Sequence, residues 1–396
     1  MHISGCTRNK NFYNWGLVQE RYGTCAMPFS FLVYLSGNSG DMPLSLIPFP
    51  QHFHPPFGVT ESLPVCRNGV RSFPEGTLQS FDQPAFAEII IRRYTNGATS
   101  RGICGLLPTA AFRDGRIKPH EETLLSRLER QEHLIREERG ALGKPVLLTV
   151  ASLKDWWDRQ DKNYAPDGKD IEFAGEDNFY RLRTYLPKDK KQPAALSLDN
   201  LGTMVIADGH HRAETHARLM AAGADFCEYI PVCLIGADEL HVGIFARLIH
   251  DQRSLEELLP ALKQFFSVEA IEEPLAPEAP GIWLLVSGER CFHLRRKKDT
   301  ATLHDADWLE HTVLPAVFDI TDTRSDERIE FEAVTDIVDG KMPLFPRPDR
   351  LSLYGYPVTN DAFFAEVDAG RCFPPKSTRF EPRVPSGLVV WMPQGE

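Results

Sequence analysis

The chain has 396 residues, of which 42% are hydrophobic and 25% charged, and its formal net charge is −11 at pH 7. This length allows two or three domains with a sizeable core, and the composition is that of an ordinary soluble protein. The acidic balance argues against a general nucleic-acid binder, and no apolar run is long enough for a membrane span. The eight cysteines form no Cys-x-x-Cys pair. They indicate reduced thiols and a cytoplasmic protein.

The first 41 residues show no sustained hydrophobic periodicity, whereas Met42 opens a Pro- and Leu-rich run that is typical of a domain start. We predict that residues 1–41 are an N-terminal extension that contributes little to the core. Either the start codon has been assigned too far upstream, or the segment is a genuine but poorly ordered tail. Proline and glycine are dense between residues 48 and 74, which predicts loop.

In the first half of the chain, apolar runs predict strands over residues 85–94 and 100–107, joined by an Asn96-Gly97 turn. A charged segment with a leucine stripe predicts a helix that ends near Gly140. Residues 145–150 form another apolar run, which predicts a buried strand. We expect residues 151–200 to be polar and loop-rich, with a short helix around Trp156 and Trp157.

In the second half, strands and helices are again predicted from periodicity. The predicted strands are 229–235, 242–249, 282–286, 291–294 and 351–358. The predicted helices are 254–266, 308–318 and 361–369. Pro315 is expected to break or kink the second of these helices.

The stretch over residues 204–219 organises the chain. A short apolar strand is followed by Asp208-Gly209, a turn signal, and then by a helical pattern. Free backbone N–H groups and the positive end of the helix dipole favour an anion at such a junction. Gly209 allows close approach of a ligand, and Arg212 is able to grip a phosphate through two hydrogen bonds. An anion site and a solvated turn both remain open from these residues alone.

His210 and His211 would add hydrogen-bond donors to an anion site, and Asp208 would hold a magnesium ion or orient a hydroxyl. His216 fits a packing or surface role better than a metal-ligand role. A zinc site built from these histidines is poorly supported, because adjacent histidines point apart and no Cys or Glu stands at a zinc-motif spacing.

Three motifs, in this order, resemble a bacterial family catalogued as domain of unknown function 1015. They are Ile-Lys-Pro-His-Glu-Glu-Thr at 117–123, Ile-Ala-Asp-Gly-His-His-Arg at 206–212 and Phe-Pro-Pro-Lys-Ser-Thr-Arg-Phe at 373–380. The resemblance covers roughly residues 44–392. One departure lies near the start, where the family has Tyr-Asp and this chain has Phe57-Gly58. The loss of that aspartate is expected to weaken substrate binding.

By motif, the family is related to free-serine kinases of the ParB/sulfiredoxin superfamily, which hold nucleotide phosphates at a Gly-x-x-Arg turn. Residues 209–212 match that turn. The resemblance implies that Glu121 is the base and that Asp208 is catalytic and binds magnesium. It implies ATP or ADP with Mg as cofactor. The residues implied to bind it are Gly209, His210, His211, Arg212, Lys376, Ser377 and Thr378. Those implied to bind substrate or support the site are His120, Thr123 and Arg130.

We therefore predict an α/β or α+β fold whose mixed sheet carries a ParB/sulfiredoxin-like phosphate-binding strand–turn–helix. Residues 42–250 are expected to form a serine-kinase-like domain, and residues 251–396 a C-terminal α+β region that returns the Lys-Ser-Thr motif to the site.

The function implied is a small-molecule kinase that acts on a hydroxylated metabolite such as free L-serine. The alternatives are a non-catalytic nucleotide-binding regulator of ParB-like type and, with less support, a nuclease. The expected partners are a small substrate and a nucleotide, without membrane or nucleic acid, and the sequence predicts no oligomeric state.

Overall fold

The computed structural model describes residues 43–50, 53–54, 79–80, 84–121, 123, 125–137, 140, 142–189, 195–297, 304–334, 341–342, 349–374 and 376–393. The predicted extension over residues 1–41 and the altered Phe57-Gly58 motif lie outside the described residues.

The strands have the following bounds: β1 Ser45–Leu46, β2 Phe53–His54, β3 Gln79–Ser80, β4 Phe86–Arg93, β5 Thr99–Pro108, β6 Ile117–Lys118, β7 Val146–Val150, β8 Tyr164–Ala174, β9 Asn178–Pro187, β10 Leu196–Ser197, β11 Met204–Asp208, β12 Tyr229–Gly236, β13 His241–Ile249, β14 Phe266–Ile271, β15 Ile282–Ser287, β16 Arg290–Arg296, β17 Ile329–Val334, β18 Leu351–Tyr354 and β19 Arg379–Glu381. The α-helices are α1 Leu125–Glu137, α2 Lys154–Asn163, α3 His210–Ala221, α4 Leu255–Phe265, α5 Asp305–Trp308, α6 Leu314–Phe318 and α7 Asn360–Asp368.

The first sheet has the order β6-β11-β7-β12-β5-β4-β9-β8 within the described part of the chain. It is mixed, because β6 and β11 are parallel, β7 and β12 are parallel, and the other neighbours are antiparallel. The predicted α/β class with a mixed sheet is confirmed.

A hydrophobic core lies on each face of this sheet around its central strands. On one face, Val146 and Leu148 pack with side chains from α1, α2 and α3. On the other face, Leu147 packs with α7 and with the C-terminal segment that ends near Trp391. Side chains of successive strand residues point to opposite faces, so β7 contributes to both cores. The described C-terminal segment thereby packs against the first sheet.

The prediction for residues 151–200 is partly wrong. The short helix is present as α2, but β8 and β9 form a long antiparallel hairpin where loop was expected. In β9 the buried residues Tyr180 and Leu182 alternate with Arg181 and Arg183. Buried and charged residues therefore alternate with a period of two, which is typical of a strand with one exposed face. In the sequence, the many charged residues make this segment resemble a polar loop.

The second sheet is antiparallel, with the order β14-β16-β15-β18-β13-β17, and β19 also pairs with β13. Helices α4 and α6 pack on it through a core that includes Leu258, Phe318 and Trp283. Strand β13 belongs to this second sheet. The chain therefore passes from the first sheet to the second between Gly236 and His241. The boundary predicted at residue 250 lies after that strand.

The predicted helix over residues 308–318 is present, but it is not uniform. A π-helical turn, Leu309–Val313, separates α5 from α6, and Pro315 lies in the first turn of α6. A proline has no N–H group to donate, so it is tolerated in a first turn. In the described part of the chain, no helix is both long and apolar enough to cross a bilayer.

Candidate functional site

The central strand–turn–helix has the predicted form. The strand β11 ends at Asp208, and α3 starts at His210 after Gly209, which has a positive φ of 103°. Other residues rarely adopt this conformation. A Cβ atom on Gly209 would also lie 2.6 Å from Nη2 of Arg212. The glycine therefore makes room for the Arg212 side chain, which folds back over the turn.

Asp208 is surrounded by three cationic side chains. Its Oδ2 lies 3.0 Å from Lys144 Nζ and 3.2 Å from Arg212 Nη2, and its Oδ1 lies 3.1 Å from Arg383 Nη1. Burial alone would raise the pKa of Asp208, but these three cations hold it well below its usual value. The carboxylate is therefore ionised and fully engaged by the protein.

The residues around Asp208 do not fit the predicted magnesium site. Three positive side chains occupy the carboxylate and repel a further cation, and magnesium prefers several oxygen ligands. Within the described ranges, no group of three or more His, Cys, Asp or Glu side chains is arranged to hold a metal ion. We correct the metal assignment and give Asp208 the role of holding Lys144, Arg212 and Arg383 in place.

His120 is buried and links the three sequence motifs. Its Nδ1 lies 2.6 Å from the Ile206 carbonyl, and its Nε2 lies 2.9 Å from Thr378 Oγ1. Burial lowers the pKa of His120 to about 4, so the ring is neutral at pH 7. A carbonyl only accepts hydrogen bonds; Nδ1 therefore carries the proton, and Thr378 donates to Nε2. The support role predicted for His120 has a physical basis in this geometry.

Glu121 lies where the first and third motifs meet. It forms a parallel bridge with Phe373, and its Oε1 accepts a hydrogen bond of 3.3 Å from the Lys376 backbone N–H. Burial raises the pKa of Glu121, although this hydrogen bond and the Lys376 charge oppose the rise. The carboxylate is thus partly desolvated but lies beside a cation.

Only two residues of the Lys-Ser-Thr motif, Lys376 and Thr378, line the cleft. Lys376 has a positive φ of 61°, and its Nζ lies 4.9 Å from the centre of the Phe245 ring. Burial lowers the pKa of Lys376. Ser377 is buried and donates a hydrogen bond of 2.7 Å to the Pro374 carbonyl. Ser377 is not among the lining residues of the cleft, so the structure does not support the predicted contact of Ser377 with a cofactor.

Helix α1 supplies a wall of the cleft that the sequence predicts only in part. Arg127, Arg130, Gln131 and Leu134 line the cleft from one helix face. Their spacing of three, four and seven residues is the spacing of one helical face, and this signal was available in the sequence. Only Arg130 had been singled out. Lys144, Phe245 and Arg383 were also missed, and no local pattern marks them.

Together these elements enclose a cleft of about 440 Å³. Its lining joins residues from all three motifs with the face of α1. The predicted site residues among its lining are Glu121, Arg130, Asp208, Gly209, His210, His211, Arg212, Lys376 and Thr378. Thr123 lies elsewhere, in a second cavity of about 370 Å³ that shares Glu121 and His210 with the cleft.

The three histidines of α3 are neutral near pH 7. Burial is the largest cause in each case: it lowers the pKa of His210 well below its usual value, lowers that of His211, and lowers that of His216 to about 4. The His210 ring packs edge-on against His120, with ring centres 4.5 Å apart. Of the two roles expected for His216, packing or surface, its complete burial favours packing.

A family model described as "Protein of unknown function (DUF1015)" matches residues 70–321. The chain belongs to this family. No curated protein matches the chain. The DUF1015 match contains Glu121, Asp208 and Arg212, whereas Lys376 and Arg383 lie beyond its end. The cleft is therefore completed by the segment that follows the matched region.

Several solved structures are similar to the chain at low identity. SbnI with a C-terminal truncation, from Staphylococcus aureus, is 16% identical with a TM-score of 0.41, over 72% of this chain and 85% of that chain. A free serine kinase in complex with AMP is 16% identical with a TM-score of 0.39, over 74% and 91%. A conserved hypothetical protein from Pyrococcus furiosus is 16% identical with a TM-score of 0.37, over 73% and 95%. All three TM-scores are below one half, so a functional assignment rests on the site itself.

Proposed function

We propose that this chain is a nucleotide-dependent phosphotransferase that acts on a small hydroxylated metabolite. The observation that carries the proposal is that Glu121 lines the same cleft as five basic side chains. These are Arg127, Arg130, Arg212, Lys376 and Arg383. Phosphoryl transfer needs positioned positive charge and a group that accepts the proton of the attacking hydroxyl. The cleft provides both.

The phosphate groups of ATP or ADP fit this cleft by charge. Its lining has five Lys and Arg side chains and two carboxylates, Glu121 and Asp208. Arg212 and Arg383 also pair with Asp208, as does Lys144, so three cations face this one carboxylate and the cleft keeps an excess of positive charge. The first turn of α3 also opens into the cleft and presents backbone N–H groups, which favour a phosphate. When bound, the nucleotide supplies the phosphoryl group. The arginines and Lys376 would hold its oxygens and offset the charge that develops on them.

Glu121 has the properties of a general base in this reaction. Burial raises its pKa from 4.5 towards the range in which a carboxylate accepts a proton more readily at neutral pH. The hydrogen bond from the Lys376 backbone holds the carboxylate in place. Free L-serine, the acceptor that the family resemblance suggests, is the first candidate to test.

The experiment separates phosphate binding from chemistry with two variants. Arg212→Ala is expected to weaken ATP or ADP binding, because charge-assisted hydrogen bonds contribute about 1.5–3 kcal/mol. Glu121→Gln is expected to leave nucleotide affinity nearly unchanged and to lower turnover by about two to four orders of magnitude. Glu137→Gln, an exposed change on α1 outside the cleft lining, is the matched control.

Turnover is measured as phosphorylated product from hydroxylated metabolites, and affinity by calorimetry. Wild-type turnover in Glu121→Gln excludes Glu121 as the base. If nucleotide binds through Arg212 but no acceptor in a broad screen is phosphorylated, the phosphotransferase proposal fails. The non-catalytic nucleotide-binding regulator then becomes the better description.

A further inference from the structure

A second cavity adjoins the basic cleft. Its volume is about 370 Å³, and two residues, Glu121 and His210, line both spaces. The residue proposed as the base therefore borders both spaces. A molecule in the second cavity would meet Glu121 directly, without passing between the arginines of the cleft.

The two spaces differ sharply in charge. Five Lys and Arg side chains line the cleft, whereas none of the described residues lining the second cavity is Lys or Arg. Its ionisable lining instead includes two carboxylates, Glu121 and Glu214. His210 adds no positive charge at neutral pH, because burial lowers its pKa well below the usual value. An anion in this cavity would be repelled by two carboxylates and would meet no Lys or Arg among the described lining residues.

The ion pair of Glu214 with Arg218 leaves the carboxylate able to interact with a ligand in the cavity. It lies in the second turn of α3, and its Oε1 accepts a hydrogen bond of 2.6 Å from Arg218 Nε on the exposed helix surface. The Glu214 side chain is 41% exposed. A surface pair of this kind is weak, so it does not prevent the carboxylate from attracting a cationic group.

The remaining lining is mostly apolar. Phe112, Pro119, Ile206 and Ala213 contribute hydrocarbon surface to the cavity. Small-molecule sites commonly combine apolar walls with a few polar groups that fix orientation. The cavity thus suits a small molecule that carries a hydroxyl group, a short hydrocarbon skeleton and no negative charge.

We propose that the second cavity is the acceptor site, and that it selects a small alcohol bearing a protonated amine over one bearing a carboxylate. This inference rests on the phosphotransferase function proposed for the cleft. The acceptor oxygen forms a bond to the terminal phosphorus of the nucleotide, and the bond from that phosphorus to its bridging oxygen breaks. The shortened nucleotide leaves with the bonding electron pair, and the hydroxyl proton passes to Glu121.

A cavity with this lining should distinguish amino alcohols from the free amino acid. The carboxylate of L-serine would lie in a cavity whose described lining offers no Lys or Arg, whereas its amine would be attracted by Glu214. A molecule of the same skeleton without the carboxylate keeps the favourable contact and loses the unfavourable one. We therefore expect serinol to be a better acceptor than L-serine, and glycerate to be the poorest.

The test compares four acceptors of nearly equal size: serinol, glycerol, L-serine and glycerate. The measured quantity is kcat/KM for phosphorylated product with ATP or ADP as donor, and acceptor binding is measured separately by NMR. We expect serinol to exceed glycerate by about tenfold or more, the factor that corresponds to 1.4 kcal/mol. Glu214→Lys should reverse this order, whereas Arg218→Gln breaks the same surface pair and should preserve it.

The outcomes separate the two proposals. If product forms and glycerate is preferred, or Glu214→Lys leaves the order unchanged, the acceptor-site inference is overturned while phosphotransfer stands. If serinol binds in a Glu214-dependent manner but no acceptor is phosphorylated, the cavity's preference for a cationic ligand holds, whereas the phosphotransferase function falls and the cavity is not an acceptor site. If serinol neither binds nor reacts, the acceptor-site inference is wrong.

Discussion

The hydroxyl of Thr378 donates a hydrogen bond of 2.9 Å to Nε2 of His120, across 258 residues of sequence. The other ring nitrogen of His120 donates to the carbonyl of Ile206. One neutral, buried imidazole therefore holds the third motif against the first and the first against the strand that carries the second. We expect the geometry of the cleft to depend on this connection.

Removing the Thr378 hydroxyl should destabilise the fold. Thr378→Val keeps the shape of the side chain but leaves Nε2 of His120 buried without its donor, which costs about 1–3 kcal/mol. The free energy of unfolding, measured with urea, is expected to fall by that amount. Thr203→Val, which removes a hydroxyl bonded to Asp368 at the surface, should have a much smaller effect. Equal effects of the two changes would contradict the linking role of His120.

Asp208→Asn should be destabilising and should not act through a metal. It removes the shared partner of Lys144, Arg212 and Arg383. Breaking a fully buried pair costs about 3–5 kcal/mol, and these side chains are only partly buried, so the expected loss is at or below about 3 kcal/mol. Urea unfolding measures this loss, with the surface change Asp199→Asn as control. Pyrophosphate binding to the wild-type protein should be the same with EDTA as with magnesium. Unchanged stability in Asp208→Asn, together with magnesium-dependent pyrophosphate binding, would restore the metal-ligand assignment.

Arg127 and Arg130 should contribute to polyphosphate affinity without supporting the fold. Both are exposed side chains on α1 that line the cleft. Replacing either with Ala is expected to weaken pyrophosphate binding by about 1.5–3 kcal/mol, as measured by calorimetry. Arg136→Ala is the matched control, because Arg136 lies on the same helix but pairs with Glu132 outside the cleft lining. If all three variants bind equally well, α1 is not part of the anion site.

Gly209→Ala should damage the site more than the fold. A left-handed backbone conformation costs a residue with a Cβ atom about 1–2 kcal/mol. Gly223→Ala incurs the same type of cost, since Gly223 has a φ of 87° and open space around it. In Gly209→Ala, the new Cβ also displaces the Arg212 guanidinium. Thermal unfolding should therefore show comparable losses in the two variants, whereas pyrophosphate affinity should fall only in Gly209→Ala.

The stability of the protein should decrease as the pH falls below 6.5. His120 and His216 have folded-state pKa values of about 4, below the ordinary value of 6.5, so the unfolded chain binds their protons first. Their contribution is complete above pH 6.5 and is lost progressively towards pH 4. One pKa unit corresponds to about 1.4 kcal/mol, so each histidine accounts for about 3 kcal/mol.

Urea unfolding over this pH range measures the effect. His216→Phe should reduce the loss of stability relative to its own value at pH 7, because one of the two buried titrating rings is gone. A pH dependence that is identical in the variant and the wild type would show that His216 does not contribute.

Sequence alone determined the features that depend on neighbours along the chain. The β4–β5 hairpin, the strand–turn–helix at Gly209 and the helical stripe of α1 follow from periods of two or 3.6 residues and from turn residues. Family motifs identified Glu121, Arg212 and Lys376 as site candidates, and the structure brings these three to one cleft.

Tertiary structure decided which charges become partners. Asp208 has the residue type of a magnesium ligand, but Lys144 and Arg383, distant in sequence, convert it into the centre of an ion-pair cluster. Ser377 stands between two residues that line the cleft, yet its hydroxyl donates a hydrogen bond to the nearby Pro374 carbonyl. A side chain's chemistry depends on the charges and dielectric around it, and those are set by contacts between segments that no local pattern encodes.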